Sequence, residues 1–289
     1  MMKIIFFGAG YCSRFIIPLL PKKTEIICTH KSTLKKEGFD ENYNIKRLKL
    51  VDFKKNKKKF FKNTTHILNS IPPGVTGDKI INHFSKDLIE NAKKIKWYGY
   101  FSSTSVYGNH FGRWVHENSN LMPTSKRGIM RYKAENEHLK IYKKFRLPVH
   151  IFRLPGIYGP GRSIFDKISL GTSFAIKKKG HYFSRIHVED IAYAINKSIK
   201  LITPGETFNI VDDFPCESEK IFEYAAKLLN LKTFEKLEVE DKRVTNRISS
   251  FYNDNKKVSN NKIKKILNWT PKYRNYKLGL NKIYENLHQ

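Results

Sequence analysis

A chain of 289 residues with 40% hydrophobic and 13% aromatic residues has enough apolar material for a packed core, which excludes an intrinsically disordered chain. Its net charge of +29 comes mostly from lysine, in scattered runs such as "KKNKKKF" that form no single motif. We interpret this charge as a compositional bias rather than a specific nucleic-acid site, although an anionic small substrate would also suit it.

The cysteines and the apolar segments bear on location. Cys12, Cys28 and Cys216 have neither metal-binding nor redox spacing, so we expect reduced thiols, a cytoplasmic protein and no metal site. The first 21 residues resemble a signal peptide in having a lysine before an apolar run. Glycines interrupt that run and no small-residue cleavage pattern follows, so we expect no signal peptide. No run of 18 apolar residues appears, which predicts no membrane span.

Short apolar runs recur along the first 160 residues, and such runs are typical of strands that are buried on both faces. The predicted strands are 2–7, 25–30, 45–53, 65–70, 96–103 and 148–154. Helical segments are predicted at 11–20, 78–94 and 124–145, and Pro18 should kink the first of them or end it early. Strands that alternate with helices predict an α/β fold with a Rossmann-type, doubly wound parallel sheet.

The pattern changes after about residue 160. Helices are predicted within "RSIFDKISLG", from about Glu189 in "RIHVEDIAYAINKSIK", and in "ESEKIFEYAAKLLN", while "TFNIVDD" is predicted as a strand. The polar residues 231–260 are predicted to be a loop excursion, and "NNKIKKILNW" and "YKLGLNKIYENL" close the chain. These elements indicate a smaller C-terminal α/β region.

A glycine pattern, Gly8-x-Gly10-x-x-Ser13, lies directly between the first predicted strand and the first predicted helix. In dinucleotide-binding folds the first glycine makes the turn, the second lets the backbone approach the pyrophosphate, and the third small residue lets the helix pack closely. The diphosphate would lie at the helix N-terminus beside Tyr11 and Cys12. The position of the pattern favours nucleotide binding over a merely structural turn.

The end of the second predicted strand bears on the choice of dinucleotide. An NAD site has a carboxylate there for the ribose hydroxyls, but this chain has Thr29, His30 and Lys31. A basic cluster suits a 2′-phosphate, so His30 and Lys31 slightly favour NADP over NAD. The alternative is that Lys31 is one of many surface lysines.

The order of motifs resembles the extended short-chain dehydrogenase/reductase superfamily, in its NAD-dependent epimerase/dehydratase family. The likeness covers nearly the whole chain and rests on the glycine loop, "LVDF", "FSSTSVYG", "RLPGIYGPGR", "RIHVEDIA" and "FNIVDD". It implies an NAD(P)-binding Rossmann domain over residues 1–160 and an interleaved substrate-binding region over residues 161–289. It also implies cofactor contacts from Asp52, Phe53, Asn69, Ser70, Ile71 and Pro155, and substrate contacts from Tyr158, Arg162, Arg185 and His187.

The family's chemistry uses a strand-end Ser or Thr together with a Tyr and a Lys four residues apart on one helix, where the Lys lowers the pKa of the Tyr. In "FSSTSVYG" we assign Ser103 as the hydroxyl residue and Tyr107 as a further candidate acid. Counting back from the family's glutamate, here Glu135, places Arg131 at the lysine position and Arg127 at the tyrosine position. The usual pair is therefore absent, and the resemblance is to an atypical member.

The two arginines suggest substitute roles. Arg131 would donate hydrogen bonds to ribose hydroxyls, and Arg127 would clamp a carboxylate or phosphate, because a guanidinium stays protonated. The alternative is that both arginines face solvent.

Two functions stay open at this point. The first is an NAD(P)-binding, epimerase-like oxidoreductase that acts on a small polar substrate, anionic or similar to a nucleotide sugar. The second is a catalytically silent NAD(P)-binding sensor or regulatory protein. We expect a small-molecule substrate, no specific nucleic-acid partner and no membrane partner. The resemblance suggests a homodimer through the helices at 78–94 and 124–145, with a monomer as the alternative.

Overall fold

The computed structural model describes residues 1–31, 43–171, 174–231 and 234–288. Its strands are β1 Lys3–Phe7, β2 Glu25–His30, β3 Ile45–Lys49, β4 His66–Asn69, β5 Trp97–Ser103, β6 Trp114–Val115, β7 Val149–Leu154, β8 Gly156–Tyr158, β9 Phe174–Lys177, β10 Arg185–His187, β11 Thr207–Asn209, β12 Glu235–Glu238 and β13 Lys257–Val258. Its helices are α1 Tyr11–Ile16, α2 Leu50–Lys55, α3 Lys57–Phe61, α4 Lys79–Glu90, α5 Lys126–Phe145, α6 Ile164–Ser169, α7 Val188–Lys200, α8 Ser218–Leu228, α9 Asn246–Ser249, α10 Asn261–Leu267 and α11 Tyr276–Leu287. Within the described ranges, no helix combines the length and the apolar character that a membrane crossing requires.

The chain forms two compact units, each assembled from three separated segments. The first unit comprises Met1–Ser103, Ile129–Arg153 and Ile191–Phe208. The second comprises Thr104–Gly128, Leu154–Asp190 and Asn209–Gln289. The assignment of a cofactor domain to residues 1–160 and of a substrate-binding region to residues 161–289 stays a prediction.

The main sheet has seven strands in the order β11-β7-β5-β4-β1-β2-β3. The pairs around β1 are parallel and in close register, so that Phe7 lies beside Thr29 on one side and beside Asn69 on the other. The predicted Rossmann-type parallel sheet is confirmed. Because the carboxyl ends of parallel strands meet at one edge, the residues that follow β1, β2 and β4 become neighbours there.

An aromatic cluster fills the core of the first unit beside β1. The Phe7 ring lies 5.1 Å from the Phe53 ring and 5.5 Å from the Phe84 ring, measured between centroids, and all three side chains are fully buried. Burying each such side chain contributes roughly 1.5–3 kcal/mol to the free energy of unfolding. This cluster therefore fixes α2 and α4 against the sheet.

The predicted strand 45–53 is wrong beyond Lys49, because residues 50–55 form α2. Phe53 is fully buried whereas Val51 is 58% exposed. Half-buried Leu50 packs against the same core as Phe53, three positions later, which is the spacing of one helix face rather than of a strand. Packing on the aromatic cluster thus overrides the strand-like appearance of "LVDF".

Two other expectations meet the structure differently. Helix α1 ends at Ile16 and Pro18 lies in a 3-10 turn, so the predicted early end is confirmed. The predicted loop excursion over 231–260 is wrong in part, since its described residues include β12, α9 and β13. Strand β12 pairs with β9, where Leu237 lies opposite Ile176. Leu237 is its sole buried residue, so the strand has too little apolar character to be recognised in the sequence.

A buried histidine in the first unit predicts a pH dependence of stability. His150 is fully buried and stacks against Trp97, with a centroid distance of 5.8 Å. Its Nε2 accepts a hydrogen bond from the Thr203 N–H at 2.9 Å, so a proton on that nitrogen would break the bond. Burial lowers the pKa of His150 to about 4, against smaller opposing effects of hydrogen bonds to backbone.

Between about pH 6.5 and 4 the unfolded chain therefore binds a proton at this position that the folded chain does not. The stability that neutral His150 contributes is complete above pH 6.5 and is lost as the pH falls towards 4. We expect His150→Gln to reduce the drop in unfolding free energy over this interval by about 3 kcal/mol. Denaturant titrations at a series of pH values measure this, and a drop equal to that of the parent would contradict the assignment.

Candidate nucleotide-binding and active site

The loop after β1 has a conformation that requires glycine at its first position. Gly8 has φ +83°, and a Cβ atom there would lie 2.8 Å from Ile71 Cγ1 and 3.0 Å from Ser70 Oγ. The Gly8 N–H donates to Thr29 Oγ1 at 3.2 Å, and Ser70 Oγ donates to the Gly8 carbonyl at 2.5 Å. The ends of β2 and β4 thus hold this turn in place.

The second glycine leaves open space where a diphosphate would approach. Gly10 is exposed, and among the described residues a Cβ atom there would meet only the Gly8 carbonyl oxygen, at 3.8 Å. Gly10 is the N-cap of α1, and no side chain caps that helix or adds an acidic group to its first turn. The predicted contacts Tyr11 and Cys12 begin this helix and are half-buried. This loop therefore fits a dinucleotide diphosphate.

The third position of the glycine pattern is occupied by Ser13, which is buried. Its hydroxyl donates to the Gly10 carbonyl at 2.6 Å, so the serine satisfies a backbone group within the loop. A small side chain is needed here because α1 packs close to the sheet.

The residues that are predicted to contact the adenosine differ in how exposed they are. His30 is half-buried and Lys31 exposed at the end of β2, and Asp52 is exposed in the first turn of α2. The Phe53 ring packs inside the aromatic cluster, so only the Phe53 backbone is left for contact with an adenine. Pro155, predicted beside the nicotinamide, is half-buried directly after β7.

Asn69 at the end of β4 uses its side chain within the protein. Its Nδ2 donates to both carboxylate oxygens of Asp78 at 3.1 Å, and its Oδ1 accepts from the Ile71 N–H at 3.1 Å. Asp78 in turn caps α4 by accepting from the N–H groups of Ile80 and Ile81. The Asn69 side chain therefore shapes the turn that carries Ser70 and Ile71 beside the glycine loop.

A buried ion pair attaches α5 to β7, and a hydrogen bond attaches it to the end of β5. Glu135 accepts from Ser102 Oγ at 2.6 Å, and Arg153 donates to its two oxygens from Nε at 3.0 Å and from a terminal nitrogen at 2.8 Å. Glu135 is 2% exposed and Arg153 is 4% exposed. These contacts fix which face of α5 points at the residues before Ser103.

Arg131 lies one helical turn before Glu135 and reaches the same strand. One terminal nitrogen donates to the Tyr100 hydroxyl at 3.1 Å and also to the Phe101 carbonyl. The guanidinium lies 5.6 Å from the centre of the Tyr100 ring. Arg131 is half-buried, and the neighbouring Ser103 hydroxyl residue is half-buried as well. The position assigned to the family's lysine is thus held at the carboxyl end of β5.

Arg127 and Tyr107 occupy different surroundings. Arg127 is exposed, and its guanidinium lies 5.8 Å from the centre of the Phe251 ring. Tyr107 is fully buried, and its hydroxyl donates to Asn209 Oδ1 at 2.8 Å. The Asn209 N–H donates in turn to Glu117 Oε1 at 2.8 Å. Tyr107 therefore serves the packing of the second unit, and its predicted role as an acid stays a prediction.

Tyr158 and His187, both predicted to contact substrate, are neighbours in the second unit. They lie opposite each other on β8 and β10, with ring centroids 5.2 Å apart. Burial raises the pKa of Tyr158, and the Asp212 carboxylate raises it further. Burial lowers the pKa of His187 to about 4, so the imidazole is neutral near pH 7. Neither group is suited to donate a proton at neutral pH.

The two arginines predicted to contact substrate are placed differently. Arg185 is half-buried and donates to the Phe183 carbonyl at 2.9 Å and to the Cys216 carbonyl at 3.2 Å. Arg162 is exposed in the turn that pairs it with Gly159. Within the described residues, no group of three or more His, Cys, Asp or Glu side chains is arranged to hold a metal ion.

Comparison with known proteins places the chain among its relatives. No protein-family model matches it. A functionally unknown conserved protein from Silicibacter pomeroyi DSS is 34% identical, with 99% of both chains covered and a TM-score of 0.90. A curated dTDP-D-glucose 4,6-dehydratase from Dictyostelium discoideum is 25% identical over 189 residues, which are 58% of this chain and 43% of that protein. The match to the dehydratase and the shared fold support the resemblance of the motifs to the extended short-chain dehydrogenase/reductase superfamily.

Two enzymes of known structure share the fold at lower identity. The dTDP-glucose 4,6-dehydratase from Bacillus anthracis, solved with NAD, is 22% identical, covers 99% of this chain and 96% of its own, and gives a TM-score of 0.75. The UDP-glucuronic acid 4-epimerase from Bacillus cereus, also solved with NAD, is 18% identical, covers 100% and 99%, and gives a TM-score of 0.80.

Sequence reasoning used Glu135 as a marker of register within the superfamily pattern but did not pair it with Arg153. The available signal was Arg153 itself, a charged residue inside "PVHIFRL", which is predicted as a strand buried on both faces. A buried charge requires a counter-charge, so this position called for an acidic partner. The contact between Arg131 and Tyr100 had no comparable signal, because an exposed lysine or arginine on a helix is common.

Proposed function

We propose that the protein binds NAD or NADP at the glycine loop and acts as an epimerase-like oxidoreductase on a small polar substrate, anionic or similar to a nucleotide sugar. The observation that carries the proposal is the exposed Gly10 beside the fixed Gly8 turn, at the carboxyl edge of a parallel sheet. The two enzymes that share the fold and were solved with NAD support it. The basic residues His30 and Lys31 at the end of β2 favour NADP.

Side chains of the protein would have separate roles in substrate and cofactor binding. When bound, the nicotinamide supplies a hydride acceptor or donor. The Ser103 hydroxyl would hold the substrate oxygen, and Arg131, already fixed by Tyr100 and Phe101, would donate hydrogen bonds to ribose hydroxyls. Arg127 is exposed and would clamp an anionic group of the substrate. Arginine side chains do not serve as general acids or bases in this scheme, so the proton would leave through water or through the serine hydroxyl.

Nucleotide binding is tested by placing a side chain in the open space of the loop. We expect NADH or NADPH to change its fluorescence on binding the parent, and Gly10→Val to weaken that binding at least about tenfold, because the branched side chain blocks the approach of the diphosphate. Gly74→Val is the matched control, since a Cβ atom there meets only Lys79 Cε at an ordinary 3.5 Å. If neither dinucleotide affects the fluorescence or the melting temperature of the parent, the proposed function fails.

The sensor remains the second candidate because Arg127 and Arg131 occupy the positions assigned to the superfamily's Tyr and Lys. A protein of this kind would keep the nucleotide site without turnover. Nucleotide binding without any oxidation or reduction by a panel of nucleotide sugars and ketones would favour the sensor.

The homodimer through α4 and α5 stays a prediction, which light scattering of the purified protein would check.

A further inference from the structure

A charged cavity lies at the edge of the main sheet opposite the glycine loop. Its volume is about 200 Å³, and its charged lining consists of Lys3, Lys46, Lys59, Lys62 and Glu25. Lys3 begins β1, Glu25 begins β2, and Lys46 is the second residue of β3. The glycine loop follows the carboxyl end of β1, so the cavity lies at the amino ends of the same strands.

The positive charge of this cavity is only partly neutralised. Lys3 is 8% exposed, and its ammonium group lies 3.1 Å from Glu25 Oε1 and 3.0 Å from the Lys62 carbonyl oxygen. Glu25 therefore has its counter-charge in Lys3. Among the residues that the structure describes, no carboxylate lies within ion-pair distance of Lys46, Lys59 or Lys62. Among the described residues, no carboxylate thus balances the charge of these three ammonium groups at the cavity.

The elements that carry these lysines are anchored. Helix α3 buries Phe60 and Phe61, which are 5% and 1% exposed, so its lysine-bearing side is held at the cavity. The Lys46 ammonium lies 5.1 Å from the centre of the Phe60 ring. The Lys3 N–H donates to Thr65 Oγ1 at 3.1 Å, which ties β1 to the segment after α3. Because these backbone segments are already ordered, less conformational entropy would be lost when a ligand binds.

We propose that this cavity binds a small phosphate-bearing anion with one or two phosphate groups, at a site separate from the glycine loop. Lysine ammonium groups bind phosphate as point charges, and three of them suit a multiply charged anion better than a single carboxylate. A volume of about 200 Å³ is below the roughly 300–1,000 Å³ of pockets for drug-sized ligands, and it equals about six or seven water molecules. A dinucleotide is too large for it.

A nucleic-acid strand fits these observations less well. Single-stranded nucleic acids are held by exposed aromatic side chains as well as by charge, and Phe60, the aromatic residue of the lining, is buried. The lysines would therefore act on phosphate alone.

The test measures binding of inorganic pyrophosphate to the full chain by calorimetry, at about 0.15 M ionic strength. The double variant Lys59→Glu, Lys62→Glu is compared with Lys140→Glu, Lys143→Glu, two exposed α5 positions with the same spacing and the same change in net charge. We expect the cavity variant to bind pyrophosphate at least about tenfold more weakly and the control variant less than about twofold. Unfolding by denaturant, run on both variants, confirms that each is folded.

Several results would overturn the proposal. Equal weakening in both variants would mean that pyrophosphate responds to overall charge. Displacement of pyrophosphate by NADPH would mean that pyrophosphate binds at the glycine loop instead. Absence of any pyrophosphate binding would mean that the cavity does not bind this anion. Tight binding of an oligonucleotide that pyrophosphate does not displace would assign these lysines to nucleic acid. None of these outcomes depends on whether the protein is an enzyme.

Discussion

Gly108→Ala is expected to lower the free energy of unfolding by about 2–5 kcal/mol. Gly108 ends "FSSTSVYG" with φ +70°, a region that costs alanine roughly 1–2 kcal/mol. A Cβ atom there would also overlap the Met122 carbonyl oxygen and lie 2.6 Å from the Met122 carbonyl carbon. Backbone atoms cannot rotate away as a side chain does, so overpacking adds about 1–3 kcal/mol. Denaturant titration of the variant against the parent measures the loss.

Gly161→Ala is the matched control for this prediction. Gly161 has φ +68°, nearly the same backbone conformation, but a Cβ atom there meets no atom of a described residue within 4 Å. The control should lose only the backbone contribution of about 1–2 kcal/mol, and the difference between the variants isolates the overlap with Met122. Equal losses in the two variants would show that the segment carrying Met122 yields without cost.

Glu135→Ala is expected to destabilise the protein by about 3–5 kcal/mol. The substitution leaves the buried Arg153 guanidinium without its bidentate partner and removes the acceptor for Ser102. Removal of one partner from a buried pair is costly because the remaining charge is desolvated and unpaired. Urea unfolding at neutral pH, where the pair is intact, measures the effect.

Two further variants separate this effect from the loss of any ion pair. Glu285→Ala breaks an exposed pair with Lys282, whose charged groups are 3.7 Å apart, and should cost less than about 0.5 kcal/mol. Replacing both partners, with Glu135→Leu and Arg153→Met, should cost less than Glu135→Ala alone, since no charge is left buried. A loss below about 1 kcal/mol for Glu135→Ala would mean that water or another group reaches Arg153.

The sequence predicted those parts of the fold that depend on local pattern. After Lys3, the run "KIIFF" is apolar, and it forms β1 because a strand covered on both faces is apolar on both sides. The run "LVDF" is equally apolar at its ends but became helical, because Phe53 packs against Phe7 and Phe84 from elsewhere in the chain. Such tertiary packing has no local signature. The same limit hid β12, whose pairing with β9 joins segments about 60 residues apart.

The candidate site divides in the same way. Gly8 and Gly10 were predicted because the turn and the close approach of a phosphate restrict these positions to glycine. Tyr107 was proposed as an acid from its place in a motif, but spacing alone does not reveal that its hydroxyl points at Asn209. Likewise, counting back from Glu135 placed Arg131 on the helix face assigned to the family's lysine. It did not predict that Arg131 donates a hydrogen bond to the Tyr100 hydroxyl. Distances between side chains on different elements require the folded chain.

The division of the chain into alternating segments has a consequence for its synthesis. The polypeptide passes between the two compact units five times, and the first unit includes residues up to Phe208. Strands β7 and β11 of the main sheet lie in the second half of the chain, so a nascent chain that has just emerged as far as β5 cannot close the sheet. Folding on the ribosome must therefore wait for distant segments, and no single cut of the chain would leave both units whole.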